Sequence, residues 1–421
     1  MPRFLHIADV HLGYEMYGSV ERSRDFFYAL YDALERYAVA ERVDFVLIAG
    51  DLFEHRYVLP AVLNQAQLCL ELLKAADIPV LAIEGNHDHR PHGTKTSWLR
   101  YLADWDWLIL LEPQEDQAEQ GACYSAWSPE TKRGGYIDLA CGVRVIGSRW
   151  YGASAPQSIP LLANSIRQLP TPPPYMVMMF HHGLQGQIAR YQGALDPAVL
   201  LPLREAGVDY LALGHIHKNY TLDDWIFNPG AIEANSIAES QEECPHGVYL
   251  VTMTEQGIQA ELKRDYRQRS IVRLDFKVES NWTVEEVVER TIAYVQSHQA
   301  RTADAIVEVK LHGQVSFNRL DVNVRDLRDQ LHQRSGALVL LLRYDLVGTE
   351  YDTLSGWDHN APPPRSAIET RVFTDLLAAH ATYRDQADQL ARALIDLKEQ
   401  LLLGRSDLAL YRLVEDALIS R

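Results

Sequence analysis

The apolar residues of the first 255 positions follow two alternating patterns. Short continuous apolar runs predict buried strands, because a strand covered on both faces shows no polar alternation. Between these runs, apolar residues recur at helical spacing over residues 21–40 and 60–76, which predicts two core-facing amphipathic helices. Five of the predicted strands lie at residues 3–8, 43–49, 80–83, 175–180 and 209–213. The chain opens as β-α-β-α-β, and we expect an α/β fold in which a mixed β-sandwich is flanked by helices.

A second pattern begins near residue 266. Strand-like runs at residues 271–278, 306–311 and 337–344 alternate with helical patterns at 284–294 and 320–331, the order of a small separate αβ domain. Farther on, a polar stretch ends in three prolines, and apolar stripes at helical spacing follow it. The predicted organisation is a first domain over 1–265, an αβ domain over 266–350, a linker over 351–365 and a helical segment over 366–421.

Length and composition fit a globular protein of two or three domains, with 421 residues of which 47% are hydrophobic. No apolar run reaches the roughly 18 residues that a membrane span needs, and the N-terminus enters a strand without a signal-peptide-like segment. We therefore expect a cytoplasmic protein without membrane association. The four cysteines are far apart and include no C-x-x-C pair, which argues against a disulfide framework or a zinc ribbon.

Charge patterning limits the ways in which the chain could bind nucleic acid. A formal charge of −17 argues against binding by bulk electrostatics and favours a complex in which a partner supplies much of the contact. Trp105 and Trp107 could stack on bases, although packing under the sheet is the preferred interpretation. One basic cluster could either contact a phosphate backbone or form a solvated strand edge, and it comprises Lys263, Arg264, Arg267, Arg269 and Arg273.

Each of the five predicted strands is followed at once by polar residues suited to binding metals. Because the carboxyl ends of parallel strands meet at one edge of a sheet, these residues are expected to form one site. Carboxylates and imidazoles suit a pair of divalent metal ions, which can clamp the attacking and leaving oxygens of a phosphoryl displacement. The motifs are Asp9-Val10-His11, Gly50-Asp51, Gly85-Asn86-His87-Asp88, His181-His182 and Gly214-His215-Ile216-His217.

In this order the motifs resemble those of the calcineurin-like metallophosphoesterase superfamily. The opening Leu5-His6-Ile7-Ala8-Asp9-Val10-His11-Leu12-Gly13 and the run Gly50-Asp51-Leu52-Phe53 are similar to its SbcD-type (YhaO-like) DNA-repair exonuclease branch. The resemblance implies a four-layer metallophosphoesterase-type sandwich with a small αβ capping domain and a helical C-terminal segment. It also implies two divalent metal ions, with Mn²⁺ as the expected metal.

The resemblance assigns roles position by position. Asp9, His11 and His217 are the expected ligands of the first metal. Asn86, His181 and His215 are the expected ligands of the second, with His182 left as an alternative to His181. Asp51 is expected to bridge the two. The expected catalytic residues are His87, which would protonate the leaving oxygen, and Asp88, which would orient the His87 ring.

Two departures from related patterns bear on the substrate. Many relatives of the nuclease branch carry a histidine after the Gly50-Asp51-Leu52-Phe53 run, where this chain has Glu54, so the strength and polarity of exonuclease activity stay open. The phosphoprotein-phosphatase motif G-D-x-x-D-R-G is absent from the sequence, which counts against phosphoprotein substrates.

Three functions remain in competition at this point. The first is a metal-dependent DNA exonuclease and endonuclease that acts in double-strand-break repair with an SbcC-like coiled-coil ATPase, with a homodimer also compatible with the resemblance. The second is a small-molecule or cyclic-nucleotide phosphodiesterase, against which the long C-terminal extension speaks. The third is a weakly catalytic or non-catalytic DNA-tethering scaffold, against which the intact ligand set speaks.

Overall fold

The computed structural model describes residues 1–114, 123–187, 193–241, 243–348, 365–378, 383 and 386–419. The chain divides into two compact units, Met1–Ile271 and Val272–Arg421. Within the described part, no helix combines the length and the apolar character that a membrane crossing would require. The predicted linker at residues 351–365 lies almost entirely outside the described residues.

The first unit is built from two six-stranded sheets. Its strands are β1 (Arg3–Ile7), β2 (Phe45–Ala49), β3 (Val80–Ile83), β4 (Ile109–Leu110), β5 (Tyr136–Leu139), β6 (Val143–Ile146), β7 (Tyr175–His181), β8 (Tyr210–Gly214), β9 (Tyr220–Leu222), β10 (Ile226–Asn228), β11 (Val248–Thr254) and β12 (Gly257–Lys263). The first sheet has the order β12-β11-β1-β2-β3-β4, and the second has the order β5-β6-β7-β8-β10-β9. In the first sheet, β1, β2, β3 and β4 are parallel neighbours, and in the second sheet β6, β7, β8 and β10 are.

Helices cover the outer face of each sheet. They are α1 (Val20–Leu34), α2 (Pro60–Ala75), α3 (Trp98–Asp104), α4 (Ala155–Arg167) and α5 (Leu201–Glu205). The first predicted helix corresponds to α1 and a π-helical turn at Glu35–Val39 that follows it directly, so helical structure reaches almost to the predicted end. The second begins as expected with Pro60 in its first turn, where the missing N–H costs no helical hydrogen bond.

Alternate residues of each central strand serve two different cores, which makes the unit four layers thick. In β1, Phe4 packs between the two sheets, whereas Leu5 and Ile7 pack under the helices of the first sheet. In β7, Met179 lies between the sheets and Met178 packs under the helices of the second sheet. The predicted α/β fold with a helix-flanked sandwich is confirmed.

The five ligand-bearing strand ends belong to two sheets rather than to one. Register aligns Ile7 with Ile48 in the first sheet and His181 with Gly214 in the second. Contacts of Asp9 with His215 and of Asn86 with His181 join the two sheets. The edge that carries the ends of β1, β2 and β3 therefore faces the edge that carries the ends of β7 and β8. Periodicity alone could not predict this division, because both faces of every one of these strands are buried.

The second unit contains a three-stranded sheet of order β13-β14-β15. Its strands are β13 (Ile271–Lys277), β14 (Ile306–Val315) and β15 (Val339–Gly348), and its helices are α6 (Val284–Ser297), α7 (Gln299–Thr302), α8 (Val324–Ser335), α9 (Arg365–Ala378), α10 (Ala387–Leu402) and α11 (Asp407–Ile419). A capping box between Thr283 and Glu286 begins α6, and Gly336 in the left-handed conformation ends α8.

Candidate metal centre

The backbone bends sharply where the predicted ligands leave their strands. Asp9, His11, Asp51 and His215 have φ values of 51°, 52°, 54° and 89°, in a region that side-chain-bearing residues rarely occupy. Such conformations cost of order 1–3 kcal/mol each and persist where the surrounding structure holds them in place. The bends turn the side chains from the two sheets toward one another.

The first ligand set brings together Asp9, His11 and His217. The two histidines face each other through their Nε2 atoms, which lie 3.1 Å apart. Ligand atoms of all three residues lie within 4.8 Å of one another. Asp9 is fully buried, and both of its carboxylate oxygens accept a hydrogen bond from the backbone N–H of His215. This bond ties the first motif to the last.

Two glutamates lie against the Nδ1 side of these histidine rings. Nδ1 of His11 lies 2.8 Å from a carboxylate oxygen of Glu54, and Nδ1 of His217 lies 3.0 Å from one of Glu239. Nδ1 of His217 is hydrogen-bonded to its glutamate, whereas the close contact between His11 and Glu54 lacks hydrogen-bond geometry. In both rings the Nε2 atom faces the other ring. When a cation displaces the protons, both Nε2 atoms can bind it together with Asp9, so this donor set fits a metal ion.

The second ligand set comprises Asn86, His181 and His215. The amide oxygen of Asn86 lies 2.8 Å from Nδ1 of His215 and 3.2 Å from Nε2 of His181. The other nitrogen of His181, Nδ1, donates to the carbonyl of Ala49 at 2.7 Å, which leaves Nε2 directed into the site. An amide oxygen with two imidazole nitrogens is a donor set suited to a divalent transition metal.

Asp51 lies between the two sets. Its Oδ2 atom is 3.2 Å from Nε2 of His181 and 4.0 Å from Nε2 of His11. Its Oδ1 atom accepts a hydrogen bond from the backbone N–H of His87 at 2.9 Å. The side chain is only 3% exposed. One carboxylate oxygen is thus directed at both ligand sets, which is the arrangement expected of a bridging ligand.

The electrostatics of the site favour positive charge. Burial alone would lower the pKa of both His181 and His217. The contacts of His181 with Asp51 and those of His217 with Glu239 and Asp9 nevertheless raise each pKa to about 9. The pKa of His215 falls to about 3, first through burial and then through the charge of His181. Carboxylates that hold imidazoles in the charged form hold cations for the same reason.

Two glycines allow the loops to approach this closely. A Cβ atom on Gly50, whose φ is 93°, would lie 2.3 Å from Nδ1 of His181. A Cβ atom on Gly85 would lie 2.1 Å from Oδ1 of Asp51. No side chain fits at either position, so the motif glycines are required by the packing of neighbouring ligand loops.

His87 and Asp88 do not form the pair that the sequence predicted. Nδ1 of His87 donates to the backbone carbonyl of Glu54 at 2.7 Å, and its ring packs edge-on against His11. The Asp88 carboxylate instead accepts backbone N–H groups from Leu52, Phe53 and Gly85. The predicted orienting role of Asp88 is therefore wrong. Its carboxylate is buried under the loops, where it locks the end of β2 to the end of β3.

Three other residues that the sequence singled out lie outside the two ligand sets. His182 contacts backbone carbonyls of Gly183 and Gly152 and lies beside the second ligand set rather than in it. Trp107 packs against Lys74 in a cation–π contact just before β4 begins, at the sheet edge opposite the ligands. His6 is a core residue bonded to Tyr210 and the carbonyl of Leu213.

Each residue of the basic cluster contacts another side chain of the protein. Lys263 pairs with Glu261, Arg264 bonds Gln241, Arg267 stacks over Tyr28, Arg269 pairs with Asp25 and Arg273 pairs with Glu308. These contacts support the solvated or structural interpretation of the cluster over phosphate binding.

Sequence reasoning missed Glu239 and Trp150. Glu239 lies on a short 3₁₀ turn, Ile237–Glu239, with no periodic pattern around it. Trp150 follows β6, which carries no ligand motif, yet its ring lies 4.9 Å from that of His215. One signal was available: apart from Arg144, β6 is apolar like the ligand-bearing strands, and a polar or aromatic residue after it is expected at the same rim.

A sequence profile of the calcineurin-like phosphoesterase family matches residues 2–219, which is just over half of the chain. The chain belongs to the calcineurin-like phosphoesterase family. The matched region contains all seven expected metal ligands of this phosphoesterase. The family match confirms the predicted metallophosphoesterase fold and the predicted enzyme class, a metal-dependent phosphoesterase.

Curated relatives of this phosphoesterase include proteins named for DNA repair. The DNA double-strand break repair protein Mre11 of Methanosarcina mazei is 25% identical over 317 residues, which is 75% of this chain and 46% of the relative. The uncharacterized metallophosphoesterase YhaO of Bacillus subtilis is 30% identical over 275 residues, 62% of this chain and 60% of the relative. The chain spans about half the length of the Mre11 proteins that it matches.

Proposed function

We propose that this protein is a dinuclear metal-dependent DNA nuclease, an exonuclease with endonuclease capacity. It would hydrolyse phosphodiester bonds in double-strand-break repair, in the cytoplasm and together with an SbcC-like ATPase. The relatives' names and the order of the motifs support the substrate class. The expected ligands are Asp9, His11, Asp51, Asn86, His181, His215 and His217, and the expected metal is Mn²⁺.

One observation carries the proposal. A single oxygen of Asp51 lies between two sets of nitrogen and oxygen donors, and each set combines residues from both sheets. Two divalent cations bound there would polarise a phosphodiester and lower the pKa of a water molecule, which supports hydrolysis near neutral pH. A non-catalytic tether would need no such convergence of strained loops and buried carboxylates.

The residues around the ligands supply the remaining chemistry. Because Nδ1–H of His87 is bound to the Glu54 carbonyl, its Nε2 atom is left to carry a proton to the leaving oxygen or to donate to a phosphate oxygen. The His87 side chain is 36% exposed, more than the other histidines paired with carboxylates in the site. That exposure suits a residue that must meet a substrate rather than a buried metal.

The second unit and the C-terminal helices receive roles by resemblance. We propose that the αβ domain caps the nuclease domain and positions DNA, and that the helices after residue 365 dock on the ATPase. A partner that supplies DNA contacts would also account for the net charge of −17 and for the internally paired basic cluster. A homodimer stays a prediction.

The decisive experiment compares Asp51→Asn with the wild type on linear duplex and single-stranded DNA. Wild-type protein should degrade DNA with Mn²⁺ and stop when a chelator is added. Asp51→Asn should bind fewer than two metal ions per chain and lose activity by more than about 100-fold, the upper range for residues that merely support ligands.

Asp77→Asn provides the matched control. Asp77 is exposed, has a φ of 57° that asparagine also adopts, and lies just before β3, at the end of the sheet opposite the ligands. It should behave as the wild type. Equal activity of Asp51→Asn and Asp77→Asn would refute the proposed chemistry.

A further inference from the structure

A cavity of about 220 Å³ opens beside the second ligand set. Its walls come from the segments that follow β4 and β6 and from one face of α4, and they include Pro113, Arg149, Trp150, Tyr151 and Leu162. Both β4 and β6 run parallel to the ligand-bearing strands of their sheets. The cavity therefore lies at the same rim of the unit as the ligand sets. None of its lining residues belongs to the predicted ligand or catalytic set.

Trp150 joins this cavity to the metal centre. Its ring stacks on His182 with centroids 5.4 Å apart and an interplanar angle of 26°. The same ring lies 4.9 Å from His215 and 5.8 Å from His181. Three imidazoles hold the indole from the side of the metal centre, and the half-buried residue also lines the cavity. The ring is thus fixed in orientation before any ligand arrives.

The size and lining of the cavity select a flat aromatic ligand. Its volume is below the roughly 300–1,000 Å³ of pockets that hold drug-sized molecules, so it has room for one ring system rather than for a whole nucleotide. Apolar and aromatic side chains form most of its walls, and the polar side chains of Gln114, Arg149, Ser154 and Ser158 complete them. Aromatic side chains of this kind bind nucleobases by stacking, without discrimination among the four bases.

We propose that this cavity receives a nucleobase of the substrate and that Trp150 is its stacking platform. A phosphodiester held by the two ligand sets places one of its neighbouring nucleosides beside His215 and so beside Trp150. The assignment rests on the proposed nuclease function and specifies it further: the protein would recognise the base next to the cleaved bond, and not the sugar-phosphate backbone alone.

The first test compares single-stranded oligonucleotides whose two terminal nucleotides at each end carry bases or are abasic. With Mn²⁺, the wild type should cleave the base-containing ends with a kcat/KM at least about fivefold higher, since stacking of one base is worth that much or more. Trp150→Ala should lose this preference, and Trp150→Phe should keep most of it. An unchanged preference in Trp150→Ala, or a wild type without a preference, would overturn the assignment.

The second test separates base binding from hydrolysis. An oligonucleotide ending in 2-aminopurine, mixed with the protein in chelator, should lose fluorescence when its base stacks. Trp150→Ala should weaken this binding at least about fivefold. If the wild type cleaves no DNA but still quenches 2-aminopurine through Trp150, the nuclease proposal fails and the nucleobase site stands. Cleavage without any Trp150-dependent quenching would leave the nuclease proposal standing and overturn the nucleobase site.

Trp105→Ala is the matched control for both tests. Trp105 is 65% exposed and ends α3 just before β4 begins, at the opposite end of the sheet from the ligands. It should leave the preference and the quenching as in the wild type. If Trp105→Ala lowers both as much as Trp150→Ala does, the effect is not specific to the cavity and the assignment is wrong.

Discussion

Glu54 contacts both an expected metal ligand and the expected general acid. Its carboxylate lies 2.8 Å from Nδ1 of His11, a ligand, and its backbone carbonyl accepts the Nδ1–H of His87, the expected acid. The side chain is 12% exposed and the ring that it contacts is 2% exposed. A carboxylate this close to a metal-binding histidine raises the basicity of its ring and so strengthens metal binding.

Substitutions of Glu54 should therefore act through the first metal site. Glu54→Ala should weaken Mn²⁺ binding at one of the two sites by roughly 10- to 100-fold. Glu54→Gln should weaken it less, because the amide loses the charge but fills the same space beside the His11 ring. Calorimetric titration with Mn²⁺ measures the two sites. The exposed Glu130 offers the control Glu130→Ala, and identical titrations for all three variants would contradict the role given to Glu54.

The sequence predicted which residues converge at the site, but not the residues that support them. Asp9, Asp51 and His215 each follow an apolar strand within a short motif, so local pattern and strand end identified them together. Glu239 contacts His217 across 22 residues of irregular chain, and no local spacing encodes such a contact. Asp88 stands in a recognised motif, yet only the three-dimensional course of two loops shows that it accepts backbone N–H groups.

At the scale of elements, the sequence placed strands better than it placed sheets. The runs predicted at residues 80–83 and 175–180 match β3 and β7 to within one residue. The hairpin of β11 and β12 was not predicted, and β11 pairs with β1 at a separation of more than 240 residues. Pairing over such distances depends on the folded core, because the periodicity of a strand does not predict which other strand it pairs with.

A buried ionic cluster connects helix α1 to the segment that carries Glu239. Arg22 is fully buried and binds Asp25 at 2.8 Å, and its other terminal nitrogen binds the carbonyl of Ala234 and lies 3.6 Å from Glu233. Asp25 also pairs with Arg269. The cluster thus fixes Glu233 and Ala234, which lie shortly before Glu239 in the chain. Glu239 in turn contacts His217, an expected ligand.

Removing the central cation should destabilise the first unit strongly. Arg22→Met leaves buried carboxylates with less compensation and should lower the free energy of unfolding by about 3–5 kcal/mol. Denaturant unfolding with and without Mn²⁺ measures this change, and the stabilisation by Mn²⁺ should also shrink. Arg24→Met, an exposed arginine of the same helix, should change stability by less than about 0.5 kcal/mol. Equal effects of the two variants would refute a structural role for the cluster.

For the whole molecule, charge and exposed apolar surface point to assembly with a partner. The chain has 57 acidic and 40 basic residues, and the cluster of arginines and lysines near residue 265 is engaged internally. The C-terminal helices, in contrast, expose large apolar side chains: Leu401 61%, Leu402 76%, Leu408 66% and Tyr411 74%. Surface apolar residues clustered on neighbouring helices mark an interaction site more often than isolated ones do.

The docking proposal is best tested with substitutions in the complete chain, because α10 also contains the buried residues Leu390 and Ala391, which a deletion would remove. Leu402→Asp with Tyr411→Asp should abolish co-purification with the SbcC-like ATPase, since a charge cannot be buried in an apolar helix–helix contact without a partner. Hydrolysis of bis-nitrophenyl phosphate should persist. Leu68→Asp, at a leucine of α2 that is 41% exposed, is the matched control and should keep the partner bound. Undiminished binding of the ATPase by the doubly substituted protein, or by a chain that lacks residues 362–421, would place its docking surface elsewhere.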